Sequence, residues 1–278
     1  MGTYTGTGGA DRITPTTVSA GVTRDPAGTR PSADADTIAG LGGSDFLDGG
    51  GGDDLINGGT GRDVIYGRDG NDTIFGKLPG VASAGDSDRI FGGAGDDILY
   101  GNGGEEDTGS PDGNDTIYGN AGNDQLYGKL GNDTLYGGGG SDRVAAYRGN
   151  DRLFGGAGDD FLRGGDGTDR MSGGAGNDVY NYDLPTNSPA GARRDVILDF
   201  DGVGAAEGDV IDFATLDGTL TFIGTDAFTA PGQVRVRERD GNTLVQVNLT
   251  DAAGAELEIL VEDDGAPASR WAAEDFLL

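Results

Sequence analysis

Residues 155–163 read GGAGDDFLR, and residues 92–100 read GGAGDDILY. Both fit a nine-residue pattern, Gly-Gly-x-Gly-x-Asp-x-U-x, in which U is an apolar residue. Residues 49–57 (GGGGDDLIN) and 58–66 (GGTGRDVIY) fit it as well. A fixed short period is typical of a solenoid, in which each repeat packs only against its neighbours. This repeat therefore decides the fold class.

The repeat covers most of the first two thirds of the chain. Four copies run in register over residues 40–75, and seven more run over residues 119–181. Weaker copies occupy residues 6–14 and 31–39. Two further copies carry insertions and end in SDRI at 87–90 and GNDTI at 113–117. Residues 101–109 can instead be a degenerate repeat, but Thr108 would be a poor inward residue, so we favour an insertion.

The eighth position of the repeat is apolar, whereas its flanks mix Thr, Arg, Tyr and Asp. We therefore predict a short strand in each repeat, with position eight inward and its flanks outward. Two such strands make a turn of eighteen residues, so the prediction is an all-β, parallel β-roll solenoid with two short-stranded sheets. The predicted inward residues are Leu47, Ile56, Ile65, Ile74, Leu99, Leu126, Leu135, Leu153 and Leu162. We also expect Tyr118, Tyr136 and Phe154 to pack on one sheet face, although a ligand or assembly stripe is an alternative.

The first six positions of each repeat combine glycines with one aspartate. Glycine permits left-handed backbone angles and lets carbonyl oxygens converge. Carbonyls and a carboxylate form an all-oxygen cage, which suits Ca²⁺ better than Mg²⁺. The predicted metal-binding aspartates are Asp45, Asp54, Asp63, Asp72, Asp88, Asp97, Asp115, Asp124, Asp133, Asp142, Asp151, Asp160, Asp169 and Asp178. The predicted metal-binding glycines are Gly50, Gly52, Gly59, Gly61, Gly93, Gly95, Gly138, Gly140, Gly156, Gly158, Gly165, Gly167, Gly174 and Gly176.

An eighteen-residue turn places each loop beside the loop two repeats away. We therefore expect Asp124 to share an ion with Asp142, and Asp133 with Asp151. Roughly ten ions, each contributing about 1.4 kcal/mol at ten times its dissociation constant, would make calcium a folding switch. We expect weak binding at residues 146–151 (AYRGND), which lack the leading glycines. Arg68, Lys77 and Lys129 also stand where glycine is usual.

Composition excludes several classes of function. The chain has 278 residues, a formal net charge of −29, no His and no Cys. This charge repels phosphate backbones, so no nucleic-acid partner is expected. Catalytic triads with histidine, His-ligated zinc and disulfides are excluded, and no catalytic motif is present. Of the 48 acidic residues 40 are Asp, which indicates ligands close to the backbone. We expect no transmembrane segment and no cleavable export signal.

The last part of the chain has a different composition. Of the 57 glycines only 10 follow residue 181, so we divide the chain into degenerate repeats (1–39), the calcium-binding roll (40–181) and a β-rich cap (182–278). Residues 182–190, YDLPTNSPA, are a predicted hinge. The cap is expected to contain strands at 196–200, 210–213 and 220–223. A hairpin over 234–249 is expected to turn at Asp240-Gly241.

These copies resemble the RTX family, whose calcium-binding nonapeptide repeats form a parallel β-roll. The cap resembles the C-terminal domain of serralysin-type secreted metallopeptidases through DVILDF at 195–200, GDVIDF at 208–213, FIGTDAF at 222–228 and DFLL at 275–278. The resemblance implies type I secretion without cleavage, by a secretion apparatus that recognises the C-terminus, and hence an extracellular or cell-surface location. The HExxH motif of serralysins is absent, so their peptidase activity is not expected.

The function expected is a secreted, non-enzymatic protein that folds on calcium. Two alternatives remain open at this point. One is a surface-layer or filament subunit that assembles with copies of itself in calcium. The other is the non-catalytic module of a larger secreted peptidase, lipase or epimerase.

Overall fold

A computed structural model describes residues 2–7, 9–14, 23–25, 31–77, 85–102, 113–191, 193–202, 208–216, 219–250, 254–263, 265 and 267–278. The strands of the repeat region are β1 (Thr3–Thr5), β2 (Arg12–Ile13), β3 (Thr23–Asp25), β4 (Thr37–Gly42), β5 (Phe46–Gly51), β6 (Leu55–Thr60), β7 (Val64–Asp69), β8 (Thr73–Lys77), β9 (Arg89–Ala94), β10 (Ile98–Asn102), β11 (Thr116–Ala121), β12 (Gln125–Leu130), β13 (Thr134–Gly139), β14 (Arg143–Gly149), β15 (Arg152–Ala157), β16 (Phe161–Gly167), β17 (Arg170–Ala175) and β18 (Val179–Asn181). The strands that follow are β19 (Asp195–Ile197), β20 (Val210–Asp212), β21 (Thr221–Phe222), β22 (Gln233–Arg239), β23 (Asn242–Asn248), β24 (Leu257–Val261) and β25 (Phe276–Leu277).

Two long sheets, here called sheet 1 and sheet 2, take alternate strands. Sheet 1 has the order β3-β1-β4-β6-β8-β10-β12-β14-β16-β18-β20-β25. Sheet 2 has the order β2-β5-β7-β9-β11-β13-β15-β17-β19-β24-β23-β22-β21. From β4 to β20 every pairing within the two sheets is parallel, as in Gln125 with Arg143 and Arg143 with Phe161. The predicted β-roll, with a turn of eighteen residues, is confirmed.

The insertions lengthen two turns without breaking the register. Thr73 pairs with Ile98, and Ile98 pairs in turn with Gln125. Equivalent positions are therefore 25 and 27 residues apart there, instead of 18. In sheet 1, β10 lies directly beside β12, and the choice between an insertion and a degenerate repeat at residues 101–109 stays a prediction. Residues 78–84 and 103–112, and with them Thr108, lie outside the described residues.

The core is a single row of side chains between the sheets. Every predicted inward residue has an exposed fraction of 0%. Ile38, Ile90, Ile117, Val144 and Met171 extend the same row. One prediction was too narrow: the strands also include the first three positions of the following repeat, as in Thr134–Gly139. The glycines there pair in register across turns, for example Gly138 with Gly156.

Aromatic side chains form a ladder on the outer face of each sheet. On sheet 2 the rings of Tyr118, Tyr136 and Phe154 follow one another at 4.7 and 4.8 Å between centroids, with interplanar angles of 4° and 7°. On sheet 1, Phe75 and Tyr100 stack at 5.0 Å. Each ring covers the face of the next, so the ladder packs within the sheet, as expected.

Both sheets continue past the repeats into the C-terminal segment. β20 extends sheet 1 from β18, and β25 pairs with β20 as the end strand. β24 extends sheet 2 from β19, and the hairpin β22–β23 turns at Asp240 and Gly241 as predicted. Two short 3-10 helices, Ala268–Arg270 and Ala273–Asp275, precede β25. No helix among the described residues is long and apolar enough to cross a membrane.

The segment predicted as a hinge packs against this C-terminal part. Ser188 is fully buried, and its hydroxyl donates to the carbonyl of Glu258 at 2.5 Å. The same hydroxyl accepts the backbone N–H of Asp195 at 2.7 Å. A hinge needs few such contacts, so the prediction was wrong for this part of the segment.

Candidate metal centres

The sixth residues of the repeats form two ladders, one along each edge of the roll. In each ladder the backbone N–H of an aspartate donates to Oδ1 of the aspartate one turn later. Asp124 donates to Asp142 at 2.8 Å, and Asp142 donates to Asp160 at 2.7 Å. Along the other edge, Asp133 donates to Asp151 at 2.7 Å. The turn-to-turn pairing predicted for these residues is therefore present, and Asp124 and Asp133 lie on opposite edges.

All fourteen predicted aspartates belong to these ladders. One ladder contains Asp45, Asp63, Asp88, Asp115, Asp133, Asp151 and Asp169. The other contains Asp54, Asp72, Asp97, Asp124, Asp142, Asp160 and Asp178. Each of the fourteen side chains has an exposed fraction of 3% or less. The acidic pattern is thus buried along the edges of the roll.

The second carboxylate oxygen, Oδ2, is the candidate ligand. It is buried and has no hydrogen-bond partner in Asp45, Asp54, Asp63, Asp72, Asp97, Asp124, Asp142, Asp151, Asp160, Asp169 and Asp178. Buried charges in proteins are normally paired or bound to metal. Ladders in which these eleven carboxylates have one buried oxygen without a hydrogen-bond partner are therefore suited to hold cations.

Glycine lets the backbone approach each carboxylate closely. A Cβ added to Gly155 would lie 2.3 Å from Oδ2 of Asp160 and 2.6 Å from the carbonyl oxygen of Gly173. A Cβ added to Gly158 would lie 2.2 Å from the carbonyl oxygen of Gly140, one turn earlier. All fourteen predicted glycines have positive φ angles, which residues with a side chain rarely adopt. The loops thus bring carbonyl oxygens and carboxylates together.

Some residues with side chains accept the same left-handed conformation. Arg68, Lys129 and Tyr147, at the second position of their repeats, have φ angles of 94°, 81° and 78°. The register of their strands is unchanged, since Lys129 pairs with Tyr147 and Tyr147 with Gly165. The weaker binding expected at these loops stays a prediction.

Burial raises the pKa of the carboxyl groups with an unpartnered Oδ2 above the usual value of 3.8. The pKa is about 7 for Asp124 and Asp160, because burial desolvates the charged form, and neighbouring aspartates add repulsion. It is about 8 for Asp169, again mainly through burial. The same cause raises the pKa of Asp151 to about 7. A bound divalent cation would reverse this shift, because it favours the charged carboxylate.

Four members of the ladders were not among the predicted metal-binding aspartates, although two of them stand in the weaker copies at 6–14 and 31–39. Asp11 and Asp36 begin them, since their N–H groups donate to Asp45 and Asp54 at 2.6 Å. Asp195 and Asp209 end them, accepting from Asp169 at 2.8 Å and Asp178 at 2.9 Å. The available signal was the Asp-x-U triplet, which survives without glycines as Asp195-Val196-Ile197 and Asp209-Val210-Ile211.

The fifth position of the repeat forms a further ladder that the sequence pattern left unassigned. There the side chain accepts from the backbone N–H of the equivalent residue one turn later. Asn132 accepts from Asn150 at 2.7 Å, and Asn123 accepts from Ser141 at 2.8 Å. These exposed bonds run in the direction opposite to the aspartate ladder, so each loop is bonded to both of its neighbours.

The donor set fits a hard cation with oxygen ligands. Among the described residues no three or more carboxylates converge as a metal cluster. The remaining oxygens at each loop come from the backbone, which is the mixture of ligands that Ca²⁺ accepts. Nitrogen or sulfur ligands for softer metals are absent because the sequence has no His or Cys.

Comparison with known proteins identifies the repeat. The family model of the RTX calcium-binding nonapeptide repeat matches residues 32–64, 48–78, 84–106, 112–144 and 146–180. The chain belongs to the RTX family. This RTX chain is a calcium-binding β-roll, and most residues of the two ladders lie within the matched repeats.

Among solved structures, two subunits of the mannuronan C5-epimerase of Azotobacter vinelandii are similar to this RTX chain. The AlgE6R2 subunit is 28% identical, with a TM-score of 0.34, over 68% of this chain and 92% of that chain. The AlgE6R3 subunit is 24% identical, with a TM-score of 0.31, over 72% of this chain and 82% of that chain. The comparison with curated proteins finds no match.

Proposed function

We propose that the protein is a secreted, non-enzymatic RTX protein whose roll folds when calcium binds. The observation that carries the proposal is the pair of ladders of buried aspartates. In these ladders an oxygen such as Oδ2 of Asp124 or Asp151 has no hydrogen-bond partner. Without a cation these carboxylates oppose folding, because charge is buried without compensation. With a cation on each, the same groups stabilise the roll.

The calcium concentration outside a cell would then control folding. Extracellular calcium modules have dissociation constants of about 10⁻⁴–10⁻³ M. Sites of this class are empty in the cytosol and filled outside, so the chain would leave the cell unfolded and fold after export. A type I secretion apparatus that reads the C-terminal residues is the proposed partner. The proposed ligands are the aspartates of both ladders together with backbone oxygens of the glycine loops.

Calcium titration followed by far-ultraviolet circular dichroism tests the proposal. In excess chelator the chain should lack most of its β signal, and millimolar calcium should restore it. Isothermal titration should count roughly ten ions for each chain, if each ion is shared between neighbouring loops. Magnesium at equal concentration is the control, and it should restore less because its octahedral preference suits these loops poorly. Equal spectra in chelator and in calcium would contradict the folding switch.

A further inference from the structure

A cavity opens on the outer face of sheet 1, where the segment after β18 crosses the roll. Its volume is about 200 Å³. Strands β12, β14 and β16 form its floor, and the crossing segment closes one side with Leu184 and Asn187. Asn187 is buried, and its side-chain oxygen accepts the N–H of Leu184 at 2.9 Å. The wall is therefore fixed, and the cavity is preformed.

Departures from the repeat create this cavity. Lys129, Tyr147 and Gly165 occupy the second repeat position in three adjacent strands and lie in register. The first two hold φ angles of 81° and 78°, a conformation that costs a residue with a side chain about 1–2 kcal/mol. Gly165, which lacks a side chain, leaves the space beside them. Two large residues and one gap thus shape a pocket that regular repeats would not contain.

Cations concentrate at this cavity although the chain is strongly acidic. Lys129, Arg148 and Arg163 line it, and Asp166 is the acidic residue among the lining groups. Lys129 has an exposed fraction of 2%, and its Nζ lies 4.3 Å from the ring centroid of Tyr147. The chain has a net charge of −29, so three basic residues around one cavity make the local electrostatic potential there less negative than over the rest of the chain.

Arg163 retains an unused donor. Its Nη2 forms an ion pair with Asp183 at 2.8 Å. Its Nε is buried and has no hydrogen-bond partner. A buried guanidinium donor without a partner is unfavourable. Arg163 lines the cavity, so its guanidinium would gain a charge-assisted bond from an anion bound there.

We propose that this cavity binds a small organic anion with a ring or another apolar body. The acid group would be held by Lys129 and Arg163, and the body would lie against Tyr147 and Leu184, an apolar residue that is 51% exposed. A cavity of about 150 Å³ accommodates benzene, so the volume is sufficient for an aromatic carboxylate. This site adjoins the calcium loops, since Lys129, Tyr147 and Gly165 occupy the second position of their repeats, so its binding is measured with the roll already folded in calcium.

Benzoate is the probe, measured by isothermal titration in saturating calcium. Benzoate should bind one to a chain, more tightly than acetate, which lacks the ring, and benzamide, which lacks the charge. Lys129→Gly should weaken benzoate binding about tenfold or more, because a charge-assisted contact is lost. Glycine is the usual residue at this repeat position, so the substitution suits the fold. Lys77→Gly, at the same repeat position outside the cavity, is the matched control and should leave the affinity unchanged.

A second variant avoids the roll itself. Leu184→Asp places a negative charge on an exposed residue that lines the cavity, and it should weaken benzoate binding. This test remains available if the Lys129→Gly variant does not fold. Absence of benzoate binding to the unmodified chain would overturn the proposal. So would equal affinity for benzoate and benzamide, or Leu184→Asp binding benzoate as tightly as the unmodified chain.

Discussion

The fourth residue of the repeat has stricter requirements than the second. Gly158 has a φ of 121°, and an added Cβ would lie 2.2 Å from a carbonyl oxygen of the preceding turn. At position two, Asn120 occupies the equivalent of Gly156 with a φ of 79°. A side chain at position two can therefore be accommodated by a smaller φ within the left-handed region. At position four, every described residue with a positive φ is a glycine.

Gly158→Ala should therefore destabilise the roll by about 2 kcal/mol or more, because backbone strain adds to a clash with main-chain atoms. A Cβ added to Gly156 as it stands would also lie 2.1 Å from a carbonyl oxygen, that of Gly138, but Asn120 shows that the backbone at position two can adopt a φ of 79°. Gly156→Asn should therefore cost less than Gly158→Ala, since asparagine tolerates the left-handed region. The free energy of unfolding in saturating calcium measures both. Gly224→Ala is a control for backbone strain alone, since φ is 64° and no atom lies within 4 Å of an added Cβ. Equal losses for Gly158→Ala and Gly224→Ala would contradict the proposed clash.

The aspartate ladders predict which pairs of residues are coupled. Asp124 and Asp142 share a hydrogen bond at 2.8 Å, whereas Asp133 lies on the other edge. Double substitution to Ala at 124 and 142 should cost less than the sum of the single substitutions, by about 0.5–3 kcal/mol. The 124/133 pair should be close to additive. Asp142→Asn retains an acceptor oxygen without the charge, so it separates the hydrogen bond from calcium binding. The calcium midpoint of folding is measured for each single and double variant. Equal coupling in the 124/142 and 124/133 pairs would exclude the ladder arrangement.

At the level of strands, the phase of the repeat predicted the inward row, the parallel pairing and the loop positions. Leu126 and Leu135 follow directly from an apolar residue every nine positions. The length of the strands was underestimated, because glycines such as Gly138 were assigned to loops although they pair in register. Asp195 and Asp209 were missed because the spacing that identifies the other ladder residues ends at residue 181. Long-range pairing, which a local pattern does not encode, places both in line with the repeats.

The C-terminal part should supply the last carboxylates for calcium. Asp195 accepts the backbone N–H of Asp169 at 2.8 Å, and its side chain is fully buried. Asp195→Ala should lower the number of bound calcium ions by about one and raise the calcium midpoint, because the final loop loses a ligand. Asp226→Ala, on an exposed residue of the same region, is the control. The ion count is measured by isothermal titration. An unchanged count in Asp195→Ala would show that calcium binding along this ladder ends at Asp169.

At the level of the whole molecule, protons and calcium compete for the same carboxylates. Burial raises the folded-state pKa of Asp54, Asp97 and Asp124 to about 7. A pKa that is higher in the folded than in the unfolded chain stabilises the fold below the unfolded value, and this stability is lost as the pH rises through the folded value. The calcium-free roll should therefore be more stable in acid than at neutral pH.

Acidification in chelator from about pH 8 to about pH 5 should increase the β signal in circular dichroism, as the carboxylates take up protons. In calcium the effect has the opposite sign: the calcium midpoint should rise over the same range, because each site must release protons to bind. Sodium chloride at high concentration is the control, since it screens surface repulsion but cannot enter buried sites in place of protons. A calcium midpoint that does not change with pH would show that the ladder carboxylates are not the ligands.

The two ends of the roll differ in what they offer to a folding chain. The C-terminal end is covered by an aromatic core in which Phe200, Trp271 and Phe276 stack at 4.9 and 5.6 Å. Strands β19 and β20 extend both sheets from this core; Asp195 is the first residue of β19, and Asp209 directly precedes β20. This end therefore presents two paired strands and the last ladder residues. Since nucleation is the costly step of a repeat array, we expect folding to start here.

Removal of residues 182–278 should therefore raise the calcium concentration needed to fold the remaining roll, because the first turn must form without a template. Removal of residues 1–30 shortens the chain at the other end of the roll and should raise that concentration much less, which makes it the control for truncation at an end. Calcium midpoints from circular dichroism compare the two truncated chains with the full chain. If residues 40–181 alone fold at the calcium concentration of the full chain, the C-terminal part is no template. If both truncations raise the midpoint equally, folding has no preferred end, since stability then depends only on the number of stacked turns.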